Sequence, residues 1–449
     1  MINGYLLVEK SEKLQGEASV YGAKNAVLVI MASLILTRGK SVLKNVPNSA
    51  DVSQMILLLK NLGAKVEFDS ISHQLEVDTT EITSFEVGGD IMGKMRASIL
   101  VMGSLLAREG RAKVALPGGC LIGARPVDFH IKGFRKMGVV VEEFTEHLEA
   151  TFENDQATES RIVLDYPSVG ATENFAMLAA SIPCKTTIIN AALEPEVFDF
   201  LDVLKKMGAE VWCEAPATLC VRGKKVLNPV VHEIVADRLE AGAFLLAAAV
   251  TKGDIYVSNM KTEYLDIFLS KLEEMGHKVF VDPSGVGVRV IGCNNPKAVS
   301  FKTGTYPGFP TDLQAPMMAA QSLATGTSLV EETVFENRLM HVSELNKMGA
   351  QITATSTSKA TVRGVDLLYG SAVIASDIRA SCALVLAGLA AEGKTEIYGI
   401  HHWLRGYDGL EKKLSKLGAK ISLIEMTPQE EAEKIMRYKE VKKATSVSV

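Results

Sequence analysis

In the segment LPGGCLIGARPVD, which runs from Leu116 to Asp128, one cysteine lies among three glycines and two prolines, five residues before Arg125. So many turn formers read as a mobile loop. Cationic neighbours favour thiolate over thiol. Cys120 is therefore either a reactive thiol or a loop cysteine of no consequence, and its chemistry alone leaves both readings open. The other cysteines, at 184, 213, 220, 293 and 382, sit in apolar or strand-like surroundings and read as small core residues. No CxxC pair occurs and no zinc-like spacing with the eight histidines, so no metal centre is expected.

A second set of residues suits anion binding. Apolar stretches of Ala, Leu, Met and Gly begin with polar or charged groups: Lys24 and Asn25, Lys94 and Arg96, Ser168-Val169-Gly170, Asp237 and Arg238, Thr311 and Asp312, Asp377 and Arg379. Arg125, Asp128, Arg338 and Arg405 lie on neighbouring amphipathic segments. A helix N-terminus carries partial positive charge and free N–H donors. Lys and Arg added there make a site for phosphate or carboxylate, which Arg can grip with two hydrogen bonds. Taken singly, each of these residues could be a routine cap or a surface charge. Repeated at equivalent places, they predict a site for a multiply anionic small molecule between two similar domains. No P-loop and no GxGxxG is present, which argues against a standard nucleotide-triphosphate or dinucleotide fold.

The elements that hold these groups repeat. Leu-Gly or Met-Gly followed by a β-rich run occurs as LGAKVE, MGVVVE, MGAEVW, MGHKVF, MGAQIT and LGAKIS, with glycines at 63, 138, 208, 276, 349 and 418, so one recurs every 68 to 75 residues. A glycine after the last helical turn followed by β-branched alternation predicts a helix end and a strand. The apolar helices predicted at 24–38, 94–108, 171–182, 239–251, 312–325 and 378–391 keep the same period. They lack a polar face and should be buried all round. Most end at a turn glycine: Gly39, Gly110, Gly253, Gly326 or Gly393. Each unit reads as buried helix, strand, amphipathic helix, strand, strand. Helices buried all round favour two groups of three units over an open solenoid.

The chain has 449 residues, 47% of them hydrophobic and 22% charged, with a net charge of −5. That is ample for a large core in two or more domains. It supplies no basic field for nucleic acid. No signal peptide or membrane span is expected, and the thiols suit a reducing cytoplasm. The tail after Thr427, charged and then rich in Ser, Thr and Val, predicts a helix followed by disorder.

Ten ordered blocks make the reading specific: GAKNA, KMRAS, LPGGCLIGARPVDFH, PSVGATEN, EPE, DRLEAGAFL, PGFPTDLQA, VFENRLMHVSEL, SDIRASCALVLAG and RGY. From about residue 1 to 424 the chain resembles the enolpyruvyl transferase family, and its cysteine loop resembles the branch that uses UDP-N-acetylglucosamine rather than the shikimate branch. The resemblance implies an α/β fold of two inside-out α/β domains, each of three βαβαββ-type repeats around a buried helix bundle. It implies one domain over 24–235 carrying the Cys120 loop, a second over 1–23 and 236–426, and a tail over 427–449. It also implies enolpyruvyl transfer from phosphoenolpyruvate to the 3-hydroxyl of UDP-N-acetylglucosamine for peptidoglycan synthesis, in a cytoplasmic enzyme expected to be a monomer. No metal or organic cofactor, nucleic acid or membrane is implied.

By the same resemblance, Lys24, Arg125 and Arg405 hold the phosphate and carboxylate of phosphoenolpyruvate, with Arg96, Arg338 and Arg379 nearby. Asn25 and Asp312 contact the sugar. Arg125, Pro126, Val127, Asp128 and Phe129, with Ser168, Val169 and Gly170, bind the uridine diphosphate, and Val334 and Asp377 complete the substrate contacts. Asp312 takes the proton of the 3-hydroxyl. Cys120 protonates the enol carbon or forms an adduct, and is the residue that fosfomycin alkylates in family members. Three positions depart from the family pattern: Leu404 stands where aspartate is usual, Pro316 where glutamine is common, and Ser104 where proline is frequent. The alternatives are a non-catalytic UDP-sugar-binding paralogue, supported only by Leu404 and Pro316, and 3-phosphoshikimate 1-carboxyvinyltransferase, disfavoured by the cysteine loop.

Overall fold

The computed structural model describes residues 3–88, 99–116, 127–153 and 158–436. These residues form two compact units, one of residues 3–20 with 237–436, the other of the described residues between 21 and 236. Each unit contains three four-stranded sheets, and all six sheets share one strand order.

One repeat shows why. Strand Ser160–Val163 leads into the apolar helix Val169–Ala179, and strand Thr186–Ile189 returns parallel to the first, with Ser160 opposite Thr186. The amphipathic helix Pro195–Met207 follows. Strands Glu210–Ala215 and Thr218–Arg222 then close the sheet antiparallel, with Thr186 opposite Val221. The order is βαβαββ. The first repeat of each unit, and the last repeat of the unit that contains residues 237–436, close through strands distant in sequence. Val231–Glu233 lies parallel to Lys40–Lys44, and Gln15–Ala18 parallel to Asp254–Lys261. Asn3–Glu9 sits between Lys394–Tyr398 and Lys420–Met426, with Leu6 opposite both Ile397 and Leu423.

The inner helices are buried, as their composition requires. In one unit Arg238–Thr251, Gln314–Gln321 and Ile378–Ala390 all touch one another, and every residue of Arg238–Thr251 is buried. In the other, Val101–Glu109 touches both Lys24–Ser33 and Val169–Ala179. The third helix begins at Val169 rather than 171, because Ser168 caps it with Oγ accepting from the Ala171 N–H at 3.4 Å. The fifth is shorter than expected and is preceded by a 3₁₀ turn over Thr311–Leu313. Pro316 is its third residue, where a backbone N–H would lack a helical partner anyway, so its missing donor costs nothing. Ser104 keeps its helix regular, its hydroxyl donating to the Val101 carbonyl.

All six repeat glycines adopt positive φ. Gly253 does not share that geometry: Lys252 takes the left-handed turn, at φ 55°, and Gly253 instead makes room for the Leu14 carbonyl. Residues 428–436 are helical, and the disorder expected beyond them lies outside the described residues. No described helix is long and apolar enough to cross a membrane.

Two measurements test this packing. A Cβ on Gly133 would lie 2.0 Å from the Phe175 ring, which is fully buried. Gly133→Ala is therefore expected to destabilise the protein by about 1–3 kcal/mol in denaturant titration, although alanine favours a helix by about 1 kcal/mol. Burial is the main cause that raises the Glu240 carboxyl from 4.5 to about 7, against the opposing pull of Lys413 at 2.5 Å. A carboxyl so raised stabilises the fold below its unfolded value, and that contribution is lost as pH rises through about 7. Relative to Glu240→Gln, the wild-type thermal midpoint should fall between pH 4.5 and 7.

Candidate active site

Charged groups cannot sit along helices buried on every side, so they collect at the ends. Lys24 opens the helix Lys24–Ser33, and its Nζ lies 3.2 Å from the Asp51 carboxylate, with both side chains largely buried. Asn25 beside it is exposed. Val127 precedes the helix Asp128–Lys136, Asp128 pairs with Lys132 one turn on at 3.3 Å, and Phe129 packs on the core. Val169 and Gly170 follow the Ser168 cap, with both residues half-buried.

A histidine missed by the sequence reading stands beside this pair of helix starts. The Asn174 carbonyl oxygen accepts from the Gly103 N–H at 2.8 Å. Its amide nitrogen must then donate both to the Ile99 carbonyl and to His130 Nδ1, at 3.0 and 2.9 Å. His130 Nδ1 is thus an acceptor, and the ring proton sits on Nε2. Burial lowers the imidazole to about 4, against a weaker opposing pull from Asp128. Its Nε2 edge lies against Gly170.

The densest constellation surrounds Asp312. Arg338 donates to Oδ1 and Arg379 to Oδ2, both at 2.6 Å. The arginine side chains are 4% and 6% exposed, and that of Asp312 is 22% exposed. Burial is the largest influence on Asp312 and opposes its charge. The charges of Arg379 and Arg338, with their hydrogen bonds, outweigh it and hold the carboxyl well below the usual range. Arg379 also donates to the Tyr407 hydroxyl at 3.1 Å. Arg338 donates to the Thr311 hydroxyl at 2.6 Å and stacks on the Phe335 ring, 4.9 Å from its centroid. Asp377 caps the helix that carries Arg379, accepting from the Arg379 and Ala380 N–H groups at 2.9 and 3.0 Å.

Val334 donates its N–H to Glu332 at 2.8 Å. Arg405 lies in the last turn of Ile400–Gly406, a helix set close against Ile378: a Cβ on Gly406 would fall 2.2 Å from Ile378 Cγ2. Leu404 is half-buried in that helix.

Asp312, Arg338 and Arg379 therefore come together, Asp377 accepts from the Arg379 backbone N–H, and Val334 precedes Phe335, whose ring lies against Arg338. Cys120, Arg96, Arg125 and Pro126 lie outside the described residues. Thr311 was noted only as a polar helix start, and Glu332, Tyr407, Asp51, Asn174 and His130 were not singled out as functional. Thr311, Tyr407, Asn174 and His130 fall inside the quoted blocks. Glu332 carries no sequence signal beyond being one of two glutamates at a strand end. Among the described residues no group of His, Cys, Asp and Glu could hold a metal ion.

A family model for EPSP synthase (3-phosphoshikimate 1-carboxyvinyltransferase) matches residues 8–414. A relative from Geobacter metallireducens, named UDP-N-acetylglucosamine 1-carboxyvinyltransferase, is 45% identical over 419 residues, 93% of this chain and 99% of its own. Another from Caldanaerobacter subterraneus subsp. tengcongensis, named UDP-N-acetylglucosamine 1-carboxyvinyltransferase 1, is 46% identical over 415 residues, 92% and 98% of the two chains. Among solved structures, the enolpyruvyl transferase NikO from Streptomyces tendae aligns with a TM-score of 0.84 over 95% of this chain and 100% of its own, at 22% identity. EPSP synthase from Acinetobacter baumannii aligns with a TM-score of 0.71 over 94% and 100%, at 15% identity. At those identities the structural likeness is one of fold.

The Asp312 geometry sets a pH window. Its folded carboxyl lies below the ordinary value of 3.8, so the ion pairs stabilise the fold above that value, and their contribution is lost as pH falls through the folded one. The wild-type thermal midpoint, taken relative to Asp312→Asn, should decline as pH falls below about 3.8. An unchanged difference across that range would mean that the two arginines do not hold the carboxylate in solution.

Proposed function

We propose that this chain, which belongs to the EPSP synthase family of enolpyruvyl transferases, transfers the enolpyruvyl group of phosphoenolpyruvate to the 3-hydroxyl of UDP-N-acetylglucosamine and releases phosphate. The choice of acceptor rests on relatives named for that substrate at about 45% identity over nine-tenths of the chain. The observation that carries the chemistry is the Asp312 carboxylate held between Arg338 and Arg379. The product is the first committed precursor of peptidoglycan. We place the enzyme in the cytoplasm as a monomer that acts without nucleic acid or membrane.

The reaction needs an acid, a base and cations. Phosphoenolpyruvate is an enol phosphate whose oxygen makes the methylene carbon electron-rich. Protonation of its methylene by the Cys120 thiol makes C2 oxocarbenium-like. The sugar 3-oxygen bonds to C2 and loses its proton to Asp312. The C2–O bond to phosphate then breaks, the departing phosphate takes up the proton held by Asp312, and the new methyl group returns a proton to the Cys120 thiolate as the double bond reforms. Each Asp312 oxygen keeps a lone pair after its arginine bond, so the hydroxyl can still reach it. A carboxylate this acidic is a weak base, yet it suffices because the attacking hydroxyl becomes a strong acid as its oxygen bonds to a cationic carbon.

Lys24, Arg125 and Arg405 hold the phosphate and carboxylate of phosphoenolpyruvate, with Arg96, Arg338 and Arg379 around them. Asn25 holds the sugar, with contacts from the Val334 carbonyl and Asp377. Ser168 to Gly170 and Arg125 to Phe129 hold the uridine diphosphate. The anions meet fixed N–H donors and arginines rather than mobile water, and this lowers the barrier as charge shifts from enol to phosphate.

Phosphate release should require both substrates together. Turnover with shikimate 3-phosphate in place of the UDP-sugar would overturn the branch assignment. Asp312→Asn should still bind the UDP-sugar while losing about 10²-fold or more in kcat, and near-normal turnover would remove Asp312 as the base. Fosfomycin should label Cys120 alone by peptide mass spectrometry. Cys120→Asp should keep activity, since a carboxylic acid also donates a proton, and should resist the drug.

A further inference from the structure

Glu332 is 2% exposed, ionisable, and unused by the reaction described above. It follows directly on the strand Thr327–Glu331. One carboxylate oxygen, Oε1, accepts from the N–H groups of Val334 and Phe335 at 2.8 and 3.1 Å. The other, Oε2, accepts from the Thr311 hydroxyl at 2.9 Å. That hydroxyl is left with its oxygen free to accept, and the Arg338 guanidinium donates to it at 2.6 Å. The direction of every bond is settled, because an ionised carboxylate can only accept and a guanidinium can only donate. Thr311 can serve both partners only with its proton on Glu332.

Two routes thus lead from Glu332 to Arg338. One is the Thr311 hydroxyl. The other is the Phe335 backbone, whose ring lies under the guanidinium. A third arm fixes Val334. The loop is anchored further by Thr333, whose N–H donates to the Thr303 hydroxyl and whose own hydroxyl donates to the Thr303 carbonyl, at 2.9 and 2.7 Å. Arg338 has little else to orient it. Its NH2 group is spent on Asp312, and its buried Nε has no hydrogen-bond partner among the described residues. His341, which also faces Arg338, is lowered to about 4, chiefly by burial, and brings no charge at neutral pH.

We propose that Glu332 is a positioning residue: through the Thr311 hydroxyl and the Phe335 ring it aims Arg338 at Asp312, and through the Val334 amide it aims the Val334 carbonyl at the acceptor sugar. The proposal rests on the transferase reading for its kinetic consequences but not for its geometry. It separates two effects on one carboxylate. The Thr311 arm serves the base, and the Val334 arm serves acceptor binding.

The test compares Thr311→Val, Thr311→Ser and Glu332→Gln in the full chain. Thr311→Val removes only the hydroxyl relay, a hydrogen bond to a charged group. It should lower kcat about tenfold or more with the KM for UDP-N-acetylglucosamine within about twofold, and Thr311→Ser should recover most of that loss. Glu332→Gln should lower kcat and raise the UDP-sugar KM together. A second readout needs no turnover. Looser aim of Arg338 lets the Asp312 carboxyl rise, so the acid loss of thermal midpoint measured against Asp312→Asn should be smaller and should end at a higher pH in Thr311→Val than in wild type. Wild-type kcat and an unshifted acid window in folded Thr311→Val overturn the proposal, as does a Thr311→Ser variant as impaired as Thr311→Val. Absence of phosphate release from the wild type overturns the transferase reading instead, and the acid window still decides the role of Glu332.

Discussion

A helix surrounded by apolar neighbours on every side has nowhere along its length to carry a charge. Unpaired charge in such an interior costs several kcal/mol. The inner helices of both units follow that constraint, and the acid that lies deeper, Glu173 of Val169–Ala179, is pushed well above the usual carboxyl range by burial, which disfavours its charge. Arg238–Thr251 is buried from end to end, and its charged residues, Arg238 and Glu240, stand in its first turn. The same holds at Lys24, Asp312 and Arg379. The polar groups that could do chemistry are forced to the helix starts, where free N–H donors already favour anions. A core requirement therefore determines where a phosphate or carboxylate can be bound.

Charge at those ends must also be balanced before any ligand arrives. Arg338 and Arg379, almost wholly buried, share one carboxylate. Each arginine uses one nitrogen on Asp312 and another on a hydroxyl, Thr311 for one and Tyr407 for the other. The guanidinium planes are thereby set in advance, and little reorganisation remains when substrate charge develops beside them. The same pairing keeps Asp312 ionised at every physiological pH. Its basicity is low, and the chemistry is consistent with that because the proton it accepts becomes acidic only during attack.

Neutral polar groups follow the same economy at the other helix starts. Asn174 satisfies the Gly103 N–H, the Ile99 carbonyl and His130 with one amide, joining an inner helix to the outer helix Asp128–Lys136. Because both amide protons are committed, the imidazole is neutral with its proton on Nε2. A buried hydrogen-bond network of this kind specifies one arrangement, since any change of tautomer or amide flip strands a donor. The strand exchanges at the ends of each unit have a comparable effect. Asn3–Glu9 fills a central sheet position, so the chain's beginning is held by two ladders rather than one.

The sequence by itself determined the repeat, the helix ends, the apolar inner helices and the residue types at their starts. Each of these is a local property: a period of about seventy residues, a glycine at positive φ, a stretch with no polar face. Asp312, Arg338 and Arg379 were also nameable, through the PGFPTDLQA, VFENRLMHVSEL and SDIRASCALVLAG blocks. Only the tertiary structure decided that these three share one carboxylate, since residues 26 and 67 positions apart meet through strand pairing and helix packing that no local period encodes. It decided that Lys252 rather than Gly253 makes the left-handed turn, because the glycine is needed for the approach of the distant Leu14. It decided that Pro316 is harmless, because a 3₁₀ turn moves the helix start to Gln314. It also revealed Glu332, whose function lies in hydrogen-bond directions. A glutamate at a strand end looks the same in sequence whether it faces water or orients an arginine, and only the positions of its partners distinguish the two.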